Sequence, residues 1–349
     1  MPKNILTINT GSTSLKYSLF DENEKEIQSG VFRDVVSHSD VIKKLLRQLK
    51  NVSDIYAIGH RIVHGGEHFV ESVALDTESI DKLKSLNDIA PLHNPYNLLG
   101  VKIFSEFLPN TQQVAVFDTA FFADLPDRAK LYAIPNELSE KYKIKKYGFH
   151  GISHKYLTQR VSEKLGKPEN KINLITCHLG GGWSISAIKG GKPIDTSMGF
   201  TPIEGLMMMT RAGDLGSGVV FELLREGLGT SSDVERLYDI LNKESGIKAI
   251  SGGIDDYQTL LRELNLGNTK AKLAFDMAIY RVSKYIGAYY VALAGKVDAI
   301  VFSGSIGSGN PVTRNEILKN IKVLGKLKTF AIETNEGLLI ARETKKIVN

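Results

Sequence analysis

Leu174–Gly191 reads LITCHLGGGWSISAIKGG, and Ile5–Asp21 reads ILTINTGSTSLKYSLFD. Both follow one plan: an apolar strand, a turn of Gly with Ser or Thr, and a returning strand of alternating polarity. A plan used twice in one chain predicts two related halves, each built on such a hairpin. Turns of this kind leave successive backbone N–H groups free to converge on an anion, and glycine lets a phosphate approach the main chain closely. Two plain β-turns are the competing reading of either hairpin alone. The pair, joined by a third glycine loop after a strand, GSIGSG at Gly304–Gly309, turns the balance toward phosphate. No GxxxxGK[ST] or GxGxxG occurs, so the chain carries neither a P-loop nor a dinucleotide-binding fingerprint.

Working outward, strands and helices alternate. Lys3–Thr10, Leu15–Phe20 and Glu26–Phe32 read as strands, Asp40–Lys50 repeats apolar positions at helical spacing, and Ile55–Ile62 returns to strand. Leu174–Leu179 and Ser184–Ile188 form a second strand pair, followed by a helix-rich stretch from Ser217 to Ala294. Its last helix, from Thr269 to Ala294, is expected to stop at Gly295 as a C′ residue. Asp298–Ser303 reads as a buried strand, Pro311 suits a helix's first turn, Lys328–Ile332 is a strand, and a C-terminal helix opens at Asn335. This is a mixed α/β chain with a domain boundary near Tyr147–Gly151.

Composition narrows the function. At 349 residues, 42% hydrophobic and 24% charged, the chain can build two cores. The N-terminus shows no signal-peptide pattern, and the longest apolar stretch, Ile286–Gly295, is too short to span a bilayer; a cytoplasmic protein is expected. The lone cysteine, Cys177, excludes a disulfide framework and reads as a buried small hydrophobe. A net charge of +5 with dispersed basic residues argues against nucleic acid and for a locally positive cleft that takes an anion.

Seven of the eight histidines fall between His60 and His178, most in short motifs with Gly, Arg or Asp, a clustering that packing explains poorly. No HExxH or other zinc spacing is present. In YGFHGISH the small residues place His150 on a loop, which favours function. Arg61 and Arg211 lie beside glycine-flanked loops, where a guanidinium can fork two hydrogen bonds to a carboxylate or phosphate, although each could equally serve a salt bridge. Asp118 follows an apolar strand; a carboxylate facing a cleft and a helix N-cap are equal readings. Gly205–Met209, GLMMM, reads as core.

NTGSTSLKYSLFD, GHRIVHGGE, APLHNPYNL, VFDTAFF, YGFHGISH, HLGGGWSI, DTSMGFTPIEGLMMMTRAGD and TNEGLLIARET, in this order and from end to end, resemble the acetate kinase family. The resemblance implies two ribonuclease H-like domains of the acetate kinase, sugar kinase and actin superfamily around a central cleft. The first is residues 1–148 with the C-terminal helix 336–349, and the second, 149–335, binds nucleotide and dimerises. It also implies reversible transfer of the γ-phosphoryl group of ATP to acetate or propionate by a homodimer, with magnesium or manganese.

By resemblance, Arg61 holds the acyl carboxylate, while His150 and Arg211 stabilise the transferring group. Asp118 matches the catalytic carboxylate, although acetate is already ionised near neutrality, so orienting Arg61 or the nucleophile fits it better than proton transfer. Asn9 and Glu336 match the magnesium positions. Leu92, His93, Phe149 and Pro202 fall where the family surrounds the acyl methyl group, a pocket small enough to favour acetate or propionate. Ser12, Ser14 and Lys16 line the first phosphate turn, and His178, Leu179, Gly180, Gly181 and Gly182 form the second. Asp256, Tyr257 and Gln258, with Ser305, Ile306, Gly307, Ser308 and Gly309, match nucleotide contacts.

The departures gather in the nucleotide half. Gly181 stands where the family has asparagine, and Ser305–Gly309 replaces GIGEN. Ile254–Gln258 lacks an arginine that flanks the nucleotide, and Gly216–Ser217 replaces the DP after TRAGD. The chain is also shorter, between Phe20 and Arg61 and between Gly309 and Glu336. Two donors compete: ATP held mainly by backbone contacts, or another nucleotide or pyrophosphate. A non-catalytic acyl-phosphate sensor is the third reading, and the joint presence of Asn9, Arg61, Asp118, His150, Arg211 and Glu336 argues against it.

Overall fold

The computed structural model describes residues 3–50, 52–225 and 231–349. The chain divides into two compact units, the first made of residues 1–123, 149–156 and 335–349 and the second of 124–148 and 157–334.

In the first unit, strands β1 (Asn4–Thr10), β2 (Ser14–Phe20), β3 (Glu26–Arg33), β4 (Ile55–Ile62), β5 (Val73–Ala74) and β6 (Gln112–Phe117) form one sheet in the order β3-β2-β1-β4-β6-β5. β1, β2 and β3 run antiparallel as a meander, whereas β4 and β6 run parallel to β1. Alternation along the strands loads both faces. Leu6 and Ile8 of β1 pack with Ile42 and Leu45 of helix His38–Gln48 and with Ile103 and Phe104 of helix Asn94–Phe107. Ile5 and Phe20 meet Leu338 and Ala341 of helix Glu336–Val348 on the other face. That last helix lies close against β4: a Cβ added at Gly59 would stand 2.7 Å from Ile340 Cγ2.

In the second unit, β7 (Asn173–Leu179), β8 (Trp183–Lys189), β9 (Lys192–Thr196), β10 (Ala299–Ser303) and β11 (Thr329–Ala331) form a sheet in the order β11-β10-β7-β8-β9. Again the first three strands are an antiparallel meander and the next two run parallel to the first. The repeat seen in the sequence is therefore a repeat of topology, with β5 an added edge strand in the first copy. The opening hairpins close tightly, through four residues between the paired Thr10 and Leu15 and through three between Leu179 and Trp183. Cys177 is buried in β7 as expected, and its thiol is pushed up by burial. Met207, Met208 and Met209 are buried too.

Two local expectations need correction. The helix expected to reach Ala294 spans Thr269–Ala292, and Ala294 and Gly295 both turn left-handed behind it, at φ 52° and 71°. GSIGSG is not an open loop: Gly304–Gly307 is a helical turn, with Ser308 N–H donating to the Gly304 carbonyl at 2.9 Å. Gly304, at φ 79°, makes the strand-to-helix corner. Arg314 Nη1 then donates to the carbonyls of Gly307 and Ser308 at 2.9 and 2.5 Å, satisfying the acceptors that a turn this short leaves open. Among the described residues no helix is long and apolar enough to cross a membrane.

Candidate active site

Parallel pairing of β4 with β6 carries Arg61 and Asp118 to one place. Arg61 is in register with Val116 and Ile62 with Phe117, and Asp118 N–H continues the ladder to the Ile62 carbonyl at 3.0 Å. Both side chains thus stand at the carboxyl end of parallel strands, where α/β sheets bind ligands. Arg61 donates from Nε at 3.1 Å and Nη2 at 2.5 Å to Asp118 Oδ2. Its Nη1 lies 3.7 Å from Glu336 Oε2. Burial opposes the guanidinium charge, but the Asp118 and Glu336 carboxylates outweigh it and lift the Arg61 pKa above the usual arginine value. Asp118 does not cap the short turn at Ala120–Phe122, which follows Thr119 without a side-chain cap bond. Asp118 is a buried carboxylate aimed at Arg61.

YGFHGISH ties into the same cluster. Gly148 (φ 72°) and His150 (φ 58°) both take left-handed backbone, and Gly151 N–H donates to the Asp118 carbonyl at 3.0 Å. No side chain fits at Gly151, because an added Cβ would collide with that carbonyl and approach Phe121 Cβ to 2.9 Å. His150 is left half-buried at the start of helix Gly151–Leu165. Ser153 in its first turn donates to Glu336 Oε1. Glu336 is itself the first residue of the last helix, whose cap is Asn335, accepting from Leu338 N–H at 2.9 Å. Ser153 escaped the sequence reading; 183 positions separate it from Glu336, and no spacing signals a pair that distant.

Asn9 and Lys16 face each other across the β1–β2 pair and, with Glu336, line one small open pocket. The turn between them, Gly11–Ser14, is braced from outside. Val35 N–H donates to the Thr13 carbonyl at 3.0 Å, and His38 Nε2 donates to the Gly11 carbonyl at 2.8 Å. Ser12 and Lys16 are exposed and Ser14 is half-buried.

Packing and hydrogen bonding account for some of the clustered histidines taken singly. His60 is buried on β4, its Nε2 2.6 Å from Gln113 Oε1, and His64 is fully buried, its Nδ1 accepting from Gly66 N–H at 2.9 Å. Burial pushes the pKa of each down to about 4, so both are neutral structural groups. The His64 ring meets the buried Phe149 edge-on at 5.6 Å. Leu92 and His93 are half-buried just before helix Asn94–Phe107. Asn94 exchanges hydrogen bonds with the His64 backbone, and Asn97 links Val63 N–H to the Thr10 carbonyl. These two asparagines of the APLHNPYN motif were not foreseen; they bolt the motif to the ends of β1 and β4.

The remaining candidates belong to the second unit. None of Gly180, Gly181 and Gly182 has positive φ, and a Cβ at Gly181 would meet nothing within 4 Å. The fold does not need glycine at Gly181. Trp183 Nε1 donates to the Gly180 carbonyl at 2.8 Å and steadies the turn, and Gly304 packs on Leu179 and Gly180. Leu179, Ile306 and Gly307 are buried, whereas Ser305 and Gly309 are exposed. Asp256 spends its carboxylate as an N-cap on Gln258 and Thr259 N–H, and Tyr257 is buried against Trp183 with its hydroxyl 2.8 Å from Thr313 Oγ1. Of that trio only Gln258 presents an exposed, uncommitted side chain. Arg211 Nη1 donates to the Pro202 carbonyl at 3.4 Å and approaches Met208 Sδ at 3.8 Å. It has no carboxylate partner among the described residues, and burial pulls its pKa below the ordinary arginine value. A half-buried guanidinium without a counter-ion can receive an anion.

A ribonuclease H-like sheet used twice, with Arg61 clamped by carboxylates in the first unit and glycine turns at both opening hairpins, is the architecture of a phosphotransferase of the acetate kinase, sugar kinase and actin superfamily. The family model described as "Acetokinase family" matches residues 34–347. The acetate kinase of Thermotoga maritima is 40% identical over 99% of this chain and 98% of its own length. That alignment extends over 401 residues, against 349 here, so this chain is shorter than its relative. The crystal structure of Porphyromonas gingivalis acetate kinase covers 99% of this chain and 100% of its own at 34% identity, with a TM-score of 0.90. That of a propionate kinase from Francisella tularensis subsp. tularensis SCHU S4 does so at 35% identity, with a TM-score of 0.92. The chain belongs to the acetokinase family.

Proposed function

We propose that the protein is an acetate kinase, transferring the γ-phosphoryl group of ATP reversibly to acetate. The observation that carries this reading is Arg61, clamped in place by carboxylates in the first unit; Arg211, in the second unit, is left without one. Asp118 takes two of the five Arg61 N–H donors and fixes the plane of the guanidinium, leaving donors for the acyl carboxylate. Acetate arrives ionised, so no base is required. One carboxylate oxygen attacks the γ-phosphorus in line; the new O–P bond forms as the bond to the bridging oxygen breaks, and the electron pair leaves with ADP. Catalysis is then positioning and charge, which Arg211 and His150 supply at the equatorial oxygens. Leu92, His93 and Phe149 bound the acyl group, and Gly11–Ser14 and Gly180–Gly182 present main chain to the phosphates.

Asn9 and Glu336 would hold magnesium. The Asn9 amide makes no hydrogen bond among the described residues, shares a pocket with Glu336, and offers with it an oxygen-only donor set that suits this ion. Held there, magnesium would supply positive charge to offset that of the phosphate oxygens. A second copy of the chain would cover helix Ser217–Arg225, none of whose residues is buried and whose Val219, Phe221 and Leu223 are exposed. Propionate is the second acceptor, on the likeness to the propionate kinase.

The test is a donor and acceptor panel: ATP, GTP or pyrophosphate with magnesium, against acetate, propionate or butyrate, read as acyl hydroxamate. ATP with acetate should give the highest kcat/KM. A preference for pyrophosphate would overturn the donor assignment, and inactivity with every donor would overturn the enzyme.

A further inference from the structure

We infer that Tyr132 and Glu204 are positioning residues for Arg211, acting through the segment Gly199–Gly205. This rests on the reading of Arg211 as the group that meets the transferring phosphoryl. Arg211 is held only by neutral contacts, the Pro202 carbonyl and the Met208 sulfur. Its direction is therefore inherited from wherever Pro202 is placed.

Tyr132 places it. The phenol accepts from Phe200 N–H at 2.7 Å and donates to Glu204 Oε2, so a single hydroxyl closes a ring across the segment that contains Pro202. Burial, then Glu204, raises the Tyr132 pKa, so the hydroxyl remains a donor. Glu204 is anchored in turn: its Oε1 lies 3.7 Å from Lys146 Nζ, which donates to the Thr196 carbonyl at 2.8 Å and pairs with Asp195 at 3.4 Å. Gly199 sits beneath the clamp, where a Cβ would collide with both Glu204 Oε2 and Tyr132 Oη. The far end is tied as firmly. Gly205 N–H donates to Asp214 Oδ1 and Asp214 N–H to the Gly205 carbonyl, each at 2.8 Å, and Tyr285 donates to Asp214 Oδ2 at 2.7 Å. With both ends fixed, Pro202 has one position; losing the hydroxyl leaves the near end held only at the Gly199 carbonyl, which accepts from Tyr147 and Gly148 N–H at 3.1 and 3.3 Å, and loosens Phe200–Glu204 beyond it.

Misplacement of a catalytic group by about 1 Å costs roughly a hundredfold in rate. Tyr132→Phe keeps the ring and removes the clamp, and kcat should fall about 10- to 100-fold while both KM values stay within about a factor of 2. Glu204→Gln, which still accepts from Tyr132, should lose less than Glu204→Ala. In an Arg211→Lys background Tyr132→Phe should add less than about twofold, because the two changes act on one device. Wild-type kcat in both Tyr132→Phe and Glu204→Ala, or full additivity with Arg211→Lys, would overturn the inference. Activity retained in Arg211→Ala would instead overturn the role of Arg211 on which it rests.

Discussion

Arg61 gives both its Nε and its Nη2 hydrogens to a single oxygen of Asp118, Oδ2. A carboxylate engaged in this way, and almost wholly buried, is poorly placed to shuttle protons and well placed to aim a guanidinium. The chemistry agrees, since the acceptor needs no deprotonation.

Asp118→Asn should therefore lower kcat/KM for acetate by about a hundredfold or more, the usual effect of disturbing one preorganised charge. The signature is a raised acetate KM with little change in nucleotide KM, because the variant misaims the acetate ligand. A kcat that recovered at high pH would point to proton transfer instead. Steady-state kinetics from about pH 6 to about pH 9, with folding checked by circular dichroism, distinguish the two.

How much of this was legible beforehand follows from which contacts are local. The hairpins at Ile5–Asp21 and Leu174–Gly191 were, because strand alternation and turn chemistry act within a few residues. Arg61 and Asp118 were legible as candidates, but their pairing depends on the parallel register of β4 and β6, which no short motif encodes. The Ser153–Glu336 and Tyr132–Glu204 bonds link residues 183 and 72 positions apart. They belong to tertiary structure alone. The histidine cluster misled because a Gly-rich motif such as GHRIVHGG serves close packing as readily as it serves a loop.

His60 and His64 give stability a pH dependence of known sign. Burial holds each near a pKa of about 4, below the 6.5 of an exposed histidine. Between these values the unfolded chain binds protons that the folded one refuses. Their contribution is thus fully present above about pH 6.5 and is lost as pH falls toward 4. From about pH 7.5 to about pH 5 each should remove about 2 kcal/mol, measurable by urea unfolding. His60→Gln, which retains a donor for Gln113, should make the decline shallower by about one histidine's share.

His38 lies outside the family motifs, and its bond to the Gly11 carbonyl braces the Gly11–Ser14 turn. His38→Ala should raise nucleotide KM about tenfold, the worth of one hydrogen bond, and leave acetate KM unchanged. His38→Gln, whose amide can still donate, should recover most of the loss.

Phe221 is 63% exposed on a helix that buries none of its residues, although three of its nine positions carry exposed large apolar side chains. If a second copy covers this helix, as proposed, the exposed apolar side chains are what it would bury. Phe221→Asp should convert a dimer to a monomer in light scattering, without a change in the circular dichroism of the fold. A wild-type chain that is monomeric at about 10 μM, a concentration at which a standard-sized interface holds, would remove the second copy from that face.

Gly151 and Gly181 separate two reasons for glycine. At Gly151 the protein itself leaves no room: a methyl group would collide with the Asp118 carbonyl, so Gly151→Ala should cost about 1–3 kcal/mol and disturb Asp118 with it. Nothing lies within 4 Å of a Cβ at Gly181, and its φ is not positive, so Gly181→Ala should leave the thermal midpoint nearly unchanged. What it should change is nucleotide KM, because a methyl group then stands where a polyphosphate would approach the main chain. A midpoint lowered as far as that of Gly151→Ala would make the triple glycine a packing feature. An unchanged midpoint with a raised nucleotide KM makes it the floor of the phosphate site.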